Sequence, residues 1–366
     1  MSGPRAKSSI AAIHPYVAGK AKADGFAEPI KLSANENALG CSPAAREAFL
    51  AGASSLNRYA DPRANALREA IAAKHGLDPA RIVFGEGSDE IFSLACQAYL
   101  NPGERMVQPQ FAFAAWAIAA RAAGAEVISA PERDYHADVD ALLAAIDART
   151  RVVFVANPAS PTGTRIPFSD IRRLHAGLRE DILLVLDGAY AEYAEGEEDF
   201  TGDFALAETA ANVLVTRTFS KIYGLAALRI GWGYAHGPIA DTLNRIRLPF
   251  NVPAPSQAAA LTALQDQAFV TTSRAHAQAG REVLAQRLRA QGLITLPAAT
   301  NFVTCRTPAD FTRTAPAIES ALAARGVLVR GLANYAMPDA LRVTVGTEPE
   351  MAAFYDALSD ILPAQR

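Results

Sequence analysis

The chain has 366 residues, half of them hydrophobic and one fifth charged, and its formal net charge at pH 7 is −3. This composition is ordinary for a soluble globular protein, and it argues against partners that need a strongly basic surface, namely nucleic acid and anionic membranes. The three cysteines (Cys41, Cys96 and Cys305) are far apart, so neither a disulfide framework nor a metal site is expected. The N-terminal segment lacks the apolar core of a signal peptide and no apolar run is long enough to cross a membrane, which predicts a cytoplasmic protein.

A chain of this length is expected to form two domains. Residues 1–30 have weak periodicity and are predicted to form an N-terminal arm. Residues 51–254 alternate short apolar runs with helical stretches, which predicts a large α/β domain. Residues 31–50 together with 255–366 are predicted to form a smaller α+β domain.

The predicted strands of the large domain are continuous apolar runs separated by helices, at 82–84, 105–107, 125–128, 152–156, 182–187 and 213–216. Such runs are typical of a mostly parallel sheet with helices on both faces, a three-layer α/β architecture. Ligands of these sheets bind at the carboxyl ends of the strands. Gly87, Ser88, Ser160, Asp187 and Lys221 all fall at such ends.

Two further helices are predicted from the sequence. Ser42 is expected to cap a helix that begins at Pro43. A long helix over about 255–291 follows a proline-rich segment and is expected to bridge the two domains. Strands at 302–305, 327–330 and 341–345 complete the smaller domain.

The segment around Lys221 contains the residues that indicate the reaction chemistry of the protein. Lys221 directly follows Ser220, and Thr218, Gly224 and Arg229 lie nearby in the sequence. Hydroxyl groups, a flexible backbone and a fixed cation suit a dianionic phosphate, held beside an amine that must form a Schiff base. These are the requirements of pyridoxal 5′-phosphate (PLP), with Lys221 as its covalent anchor.

Other residues of the large domain fit the same cofactor. Gly87 and Ser88 lie between a strand and a helix, where backbone N–H groups bind anions, although such turns are often only turns. Asp187 ends a very apolar run, so it is either a partner of the pyridinium nitrogen or a helix cap or salt-bridge residue. Tyr190 is either a partner of the phenolic oxygen or ordinary packing, and Phe111 either stacks on the ring or belongs to the core.

Two arginines are candidates for binding a substrate anion. Arg342 lies inside an otherwise apolar strand and therefore needs an anionic partner, such as a carboxylate or a phosphate. Arg330 fits this role less well, because a surface salt bridge explains it equally.

The order of the motifs resembles the histidinol-phosphate aminotransferase family of the fold-type I PLP-dependent aminotransferases. The resemblance covers essentially the whole chain. It is carried by Asn35-Glu36-Asn37, Asn57-Arg58-Tyr59, Gly87-Ser88-Asp89-Glu90, Asn157-Pro158 with Pro161-Thr162-Gly163, Asp187 with Ala189-Tyr190, Ser220-Lys221 with Arg229, Asn301-Phe302, and the run from Leu341 to Thr347.

The resemblance implies roles for these residues. Lys221 would hold the cofactor and move the proton between the substrate and cofactor carbons, with Asp187 and Tyr190 as the other catalytic residues. It implies cofactor contacts at Gly87, Ser88, Asp89, Phe111, Asn157, Ser160, Thr218, Ser220 and Arg229, and at Tyr59 of the partner subunit. It implies substrate contacts at Tyr16, Asn35, Arg330 and Arg342. A contact from a partner subunit would make the protein an obligate homodimer with shared active sites.

The chain departs from the family pattern at several positions. Ser160 stands where the family usually has asparagine, and its shorter side chain would reach the ring oxygen only through water. The usual proline, glutamate, glycine, proline and tyrosine of the family are replaced by Ala38, Gly188, Ala227, Gly331 and Ala114, respectively.

The leading functional hypothesis is ping-pong transfer of an amino group between histidinol phosphate and 2-oxoglutarate. One alternative is an aromatic amino-acid aminotransferase, since the two arginines suit either anion. Another is a PLP-dependent decarboxylase of the phosphothreonine type, which shares the fold and most of the motifs. A PLP-sensing DNA-binding regulator does not fit, because only some 30 residues precede the first motif and the net charge is negative.

Overall fold

The computed structural model describes residues 3–362, so the ends of the predicted arm and small domain at residues 1–2 and 363–366 lie outside the described part. The α-helices are α1 (Ser8–Ala11), α2 (Pro43–Ala51), α3 (Asn65–His75), α4 (Gly87–Tyr99), α5 (Ala114–Ala122), α6 (Val139–Ala144), α7 (Phe168–Ala176), α8 (Ala191–Ala194), α9 (Asp203–Thr209), α10 (Gly237–Ile246), α11 (Ala254–Gln265), α12 (Gln267–Ala290), α13 (Ala315–Ala323) and α14 (Glu348–Ile361).

The strands are β1 (Ile30–Lys31), β2 (Ile82–Gly85), β3 (Arg105–Pro109), β4 (Glu126–Ala130), β5 (Glu132–Arg133), β6 (His136–Ala137), β7 (Thr150–Ala156), β8 (Leu183–Asp187), β9 (Val213–Thr218), β10 (Gly231–Ala235), β11 (Ile294–Thr295), β12 (Phe302–Arg306), β13 (Val327–Leu328), β14 (Arg330–Gly331) and β15 (Ala340–Thr344). Short 3₁₀ helices span Gly52–Ser55, Pro79–Arg81, Ala226–Leu228 and Ala333–Tyr335.

A seven-stranded sheet with the order β2-β10-β9-β8-β7-β3-β4 forms the centre of the molecule. Neighbouring strands from β9 to β4 are parallel, whereas β10 runs antiparallel to both β2 and β9. The predicted mostly parallel α/β sheet is confirmed.

Both faces of this sheet are covered. In β8, Leu184 and Leu186 join one core cluster while Leu183 and Val185 join the other. Because successive strand residues point to opposite faces, a strand buried on both faces must be apolar throughout. This explains why the predicted strands appear as continuous apolar runs rather than alternating ones.

The smaller region contains the four-stranded antiparallel sheet β11-β12-β15-β14 and a separate parallel pair, β1 with β13. A third core cluster fills the space between these strands and the helices α12, α13 and α14. Ala45 of α2 and Ala259 of α11 instead belong to the core of the large sheet. We therefore propose that α2 and α11 are part of the large domain, and that the boundary lies later than residue 255.

The predicted long helix over 255–291 is two helices, α11 and α12, separated at Asp266. The Asp266 backbone leaves the helical region (φ −80°, ψ 72°), and its carboxylate accepts a hydrogen bond from the Phe269 N–H at 3.0 Å. Ser42 precedes Pro43 as predicted, but its hydroxyl donates to Asp266 at 2.6 Å instead of capping α2. Asp266 therefore ends α11 and caps α12, and this cap divides the predicted long helix into two.

Within residues 3–362, no helix combines the length and apolarity needed to cross a membrane. The same residues contain no cluster of three or more histidine, cysteine or acidic side chains that could hold a metal ion.

Candidate active site

A cavity opens at the carboxyl edge of the central sheet, where the last residues of three neighbouring parallel strands meet. These residues are Ala156 of β7, Asp187 of β8 and Thr218 of β9. The full lining is Ser88, Asp89, Phe113, Ala156, Ser160, Asp187, Ala189, Tyr190, Thr218, Ser220, Lys221, Ala226 and Arg229. Most of the predicted cofactor contacts, separated by up to 141 residues in sequence (Ser88 to Arg229), therefore surround one space.

One end of the cavity has the donors of a phosphate site. It lies at the N-terminus of α4, whose free backbone N–H groups and helix dipole favour an anion. Arg229 donates to the Ser220 hydroxyl at 3.3 Å and to the Asp89 carboxylate at 3.1 Å. Gly87 has a φ of 72°, and a Cβ there would overlap the Arg229 guanidinium, so only glycine leaves room for this arrangement.

The same cavity is lined by Asp187, which is 6% exposed. One of its carboxylate oxygens accepts hydrogen bonds from the Ala189 N–H at 3.0 Å and the Thr216 hydroxyl at 3.4 Å. Burial raises the pKa of Asp187 to about 7. A buried carboxylate is costly unless it is paired, and a protonated ring nitrogen is a suitable partner for it.

Lys221 and Tyr190 line the same cavity. The Lys221 Nζ is 5.6 Å from the centre of the Tyr190 ring. The Tyr190 hydroxyl accepts a hydrogen bond from the Asn35 amide at 2.7 Å. Asn35 thus orients Tyr190, and it is not part of the cavity lining. An amine that shares one cavity with a phosphate site and a buried carboxylate is the arrangement that PLP requires, so the residues present fit this cofactor.

The loop after Lys221 depends on Gly224. The Gly224 N–H donates to the Lys221 carbonyl at 2.9 Å, its φ is 69°, and a Cβ there would overlap the Gly40 carbonyl oxygen. We expect Gly224→Ala to lower the free energy of unfolding by at least about 2 kcal/mol, because it combines backbone strain with a collision. Chemical denaturation measures this change.

The matched control is Gly237→Ala, since no atom lies within 4 Å of a Cβ at that position and its φ is not positive. That variant should stay within about 0.5 kcal/mol of the parent. Equal destabilisation by the two substitutions would contradict the role given to Gly224.

Two buried arginines face each other beside the cavity. Arg330 and Arg342 are directly paired across β14 and β15, and they are 6% and 7% exposed. Arg342 donates to the Ser160 hydroxyl at 3.3 Å and to the Ser33 carbonyl at 3.2 Å, while its Nε has no partner among the described residues. Burial lowers the pKa of Arg342, and the neighbouring Arg330 charge acts in the same direction. Like charges that are buried and opposed destabilise a sheet, so this pair is suited to an anionic ligand.

Aromatic side chains enclose the arginine pair. The Arg330 guanidinium lies 6.0 Å from the Tyr335 ring and donates to the Val17 carbonyl of the arm. Tyr16 is next to Tyr335, and burial raises the Tyr16 pKa. The Tyr16 ring also meets Phe113 edge-on at 6.2 Å. Tyr16 therefore connects the arginine pair with the cavity.

Four predicted cofactor contacts lie outside the cavity lining, and Gly87, described above, is one of them. The Asn157 side chain bonds both the N–H and the carbonyl of Ile166, at 3.1 and 2.9 Å, and so bridges its own loop. Phe111 stacks on Tyr135 with ring centres 5.4 Å apart. Tyr59 is 84% exposed and stacks on Phe250 at 4.5 Å.

Sequence reasoning missed Phe113 and Tyr335. Phe113 follows the same strand as Phe111, and nothing in the sequence distinguishes which of the two rings faces the cavity. Tyr335 lies in a short 3₁₀ helix between the strands of the arginine pair, where the sequence shows no periodic pattern.

Residues 27–358 match the family model described as aminotransferase class I and II. The chain is 49% identical over 356 residues to histidinol-phosphate aminotransferase 1 of Caulobacter vibrioides, covering 97% of this chain and 99% of the relative. It is 46% identical to the histidinol-phosphate aminotransferase of Rhodospirillum rubrum, covering 99% and 98% of the two chains.

Among solved structures, the crystal structure of histidinol-phosphate aminotransferase from Sinorhizobium meliloti in complex with pyridoxal-5′-phosphate is similar, with a TM-score of 0.89 and 28% identity. The similarity covers 99% of this chain and 98% of that one. An aspartate aminotransferase of Thermus thermophilus, at 24% identity and a TM-score of 0.82, shares the fold.

Proposed function

We propose that this chain, which belongs to the histidinol-phosphate aminotransferase family of the class I and II aminotransferases, transfers the amino group of histidinol phosphate to 2-oxoglutarate. Full-length similarity to histidinol-phosphate aminotransferases supports the choice of donor. The structural observation that carries the proposal is the buried pair Arg330 and Arg342 beside the cavity, which suits an amino donor and an acceptor that are both anionic.

The cofactor is pyridoxal 5′-phosphate, which supplies an aldehyde that reacts with amines and a ring that withdraws electrons from the substrate Cα. Ser88, Ser220, Arg229 and the N-terminus of α4 would hold its phosphate. Asp187 would hold its ring nitrogen, and Tyr190 its phenolic oxygen. The Ser160 hydroxyl accepts from Arg342, and we propose that it links the cofactor site to the substrate site.

Lys221 would anchor the cofactor and then act as the general base and acid. Its amine would remove a proton from the substrate Cα and would deliver a proton to the cofactor carbon that carries the amino group. A flexible side chain suits this task, because the amine must reach both carbons in turn. Tyr190 lies beside this amine and Phe113 lines the same cavity, and both rings would limit the access of bulk water to it.

Arg342 would bind the carboxylate next to the amino group of glutamate, and Arg330 with Tyr16 the second anionic group. Histidinol phosphate carries a phosphate, so both half-reactions would use the same cationic surface. A bidentate guanidinium accommodates either anion.

Steady-state kinetics with 2-oxoglutarate as the acceptor test this proposal. We expect kcat/KM for histidinol phosphate to exceed that for phenylalanine by at least about 10²-fold, because its phosphate carries more negative charge toward the two arginines than the single carboxylate of phenylalanine. An equal or higher kcat/KM for phenylalanine would move the enzyme to the aromatic amino-acid aminotransferases. Carbon dioxide release without glutamate formation would instead indicate a decarboxylase.

We also propose that the enzyme is a homodimer with shared active sites. Leu56, Tyr59, Leu248 and Phe250 are exposed apolar side chains, Tyr59 stacks on Phe250, and Tyr59 does not line the cavity of its own chain. Exposed apolar side chains of this kind favour association with a second copy. Tyr59 would then reach the cofactor phosphate of the partner. Three free cysteines agree with the reducing cytoplasm that we propose as its location.

Mixing two inactive variants tests the shared site. Lys221→Ala and Tyr59→Ala each damage both sites of their own dimer, but a hybrid dimer has one site with both lesions and one intact site. We expect an equimolar mixture that is unfolded and refolded together to regain about a quarter of the parent activity per subunit. Mixing without refolding is the control. Activity no greater than the average of the two variants would contradict a contribution of Tyr59 across the interface.

A further inference from the structure

Arg217 is a buried cation that no step described above uses. It lies in β9 between Thr216 and Thr218 and is 7% exposed. Val213 and Val215 belong to the core cluster on one face of the sheet, and Leu214 to the cluster on the other. Arg217 therefore extends from the Val215 face, opposite to the face of Thr216 and Thr218. Its guanidinium donates to Asp203 at 2.6 Å and lies 4.6 Å from the Phe204 ring.

Position 188 has to be glycine for Arg217 to lie where it does. A Cβ built on Gly188 would overlap the Arg217 guanidinium and would also approach the Thr216 carbonyl at 3.0 Å. The guanidinium thus occupies the space of a side chain at the residue immediately after Asp187. Glycine at this position is explained by this close contact, since its φ is not positive.

The Thr216 carbonyl connects Arg217 to Asp187. It accepts hydrogen bonds from the Gly188 N–H at 3.0 Å and from the Arg217 guanidinium at 3.0 Å. Thr216 is also the register partner of Asp187, and its hydroxyl donates to the Asp187 carboxylate. Arg217 therefore fixes the ends of β8 and β9 from the opposite face of the sheet. Asp187 is the last residue of β8.

The charges around Asp187 lie in two groups. Asp89, Lys221 and Arg229 line the cavity together with it. Behind the sheet, the carboxylates of Asp203, Glu192 and Glu195 and the ring of His75 line a second cavity together with Arg217. Burial lowers the pKa of His75 to about 4, so this ring is neutral near pH 7. Burial raises the pKa of Asp187, and the Arg217 charge acts on it in the opposite direction as a smaller effect. Burial acts to lower the pKa of Arg217, but the charges of Asp203, Glu192 and, to a smaller extent, Asp187 raise it overall.

We propose that Arg217 is a positioning residue for the cofactor, which keeps the Asp187 carboxylate ionised and oriented toward the ring nitrogen, and that Asp203 tunes this effect in the opposite direction. This inference depends on the cofactor site and not on which amino donor the enzyme uses. It assigns an electrostatic role to the ion pair of Arg217 and Asp203, in addition to its structural one.

Binding of pyridoxamine 5′-phosphate to the cofactor-free protein tests the proposal. This probe has no aldehyde, so it cannot react with Lys221, and its ring nitrogen still requires an ionised Asp187. Its dissociation constant would be measured by equilibrium dialysis between pH 5.5 and 8.5 for the parent, Arg217→Met, Arg217→Lys and Asp203→Asn. Ionisation of the probe's own phosphate affects all four proteins equally.

Affinity should fall as the pH decreases through the pKa of Asp187. Without the Arg217 charge, the midpoint of this fall should move to higher pH by about one unit, which is about a tenfold weaker affinity near pH 6.5. Asp203→Asn should move the midpoint to lower pH, because it removes a negative charge. Arg217→Lys keeps the charge and should restore most of the affinity.

Damage to the fold would not shift the midpoint in opposite directions in Arg217→Met and Asp203→Asn, so the opposite shifts identify an electrostatic effect. Thermal unfolding of each cofactor-free variant identifies any that is not folded. If Asp203→Asn fails to fold, the comparison of Arg217→Met with Arg217→Lys still tests whether the charge sets the midpoint. Equal midpoints in all variants, or shifts of Arg217→Met and Asp203→Asn in the same direction, would overturn the proposal. Because no substrate is added, neither outcome depends on the identity of the amino donor.

Discussion

Replacement of Lys221 by alanine is expected to reduce kcat by at least about 10⁴-fold with any amino donor. The substitution removes the covalent anchor of the cofactor and also the group that moves the proton at the substrate Cα. Lys221 is the only lysine among the residues that line the cavity in the described part of the chain, so no other amine is placed to replace it. Activity would be followed as glutamate formation, and covalent retention of PLP by mass spectrometry after borohydride reduction.

Lys22→Ala is the matched control, because Lys22 is exposed on the N-terminal arm. It should retain both activity and the covalently bound cofactor. Cofactor reduced onto another lysine in the Lys221→Ala protein, together with undiminished turnover, would disprove the assignment of Lys221.

Asp187→Asn is expected to lower kcat by about 10²–10³-fold and to weaken PLP binding, since the amide cannot carry the charge that stabilises a protonated ring nitrogen. In the cofactor-free protein, by contrast, the same substitution should not lower the stability of the fold and can raise it. The pKa of Asp187 is raised to about 7 by burial, so the folded protein holds a proton that the unfolded chain has lost. The stability of the parent should therefore fall as the pH rises from about 4 to about 7.

The cofactor-free Asp187→Asn protein should lack this part of the pH dependence and be at least as stable as the parent at pH 8. Chemical denaturation at pH 5 and pH 8 measures the difference. Asp181→Asn, in the turn just before the same strand and exposed, is the control. A variant that loses stability in proportion to its activity would show that Asp187 is a structural residue.

Much of the fold is predictable because its strands are buried on both faces. A run such as 183–186 has no polar position, and short apolar runs separated by helices leave few arrangements other than a parallel sheet. The antiparallel direction of β10 was not predicted, because direction depends on the short connection through Ala226–Leu228 and not on apolar pattern. The break at Asp266 was missed although its capping contact with the Phe269 N–H is local, because the apolar pattern was given more weight than an aspartate at a possible helix start. The Ser42 hydroxyl that also bonds Asp266 lies 224 positions away.

The cavity residues were predictable where their types carry their own chemistry. Lys221 beside hydroxyl groups and Asp187 at the end of an apolar strand are costly unless they have partners, and this cost is visible in the sequence. Arg217 was not recognised, because an arginine next to a lysine loop resembles any other cation until the Gly188 contact is seen. The arginine pair of β14 and β15 also required the structure, since only strand register brings the two side chains together.

The most direct test of the proposed function is the half-reaction without an acceptor. The purified enzyme with PLP would be mixed with histidinol phosphate, phenylalanine or glutamate, and its absorption spectrum followed in time. We predict rapid conversion to the pyridoxamine form by histidinol phosphate and by glutamate, and much slower conversion by phenylalanine. Rapid conversion by phenylalanine with no response to histidinol phosphate would contradict the proposed function.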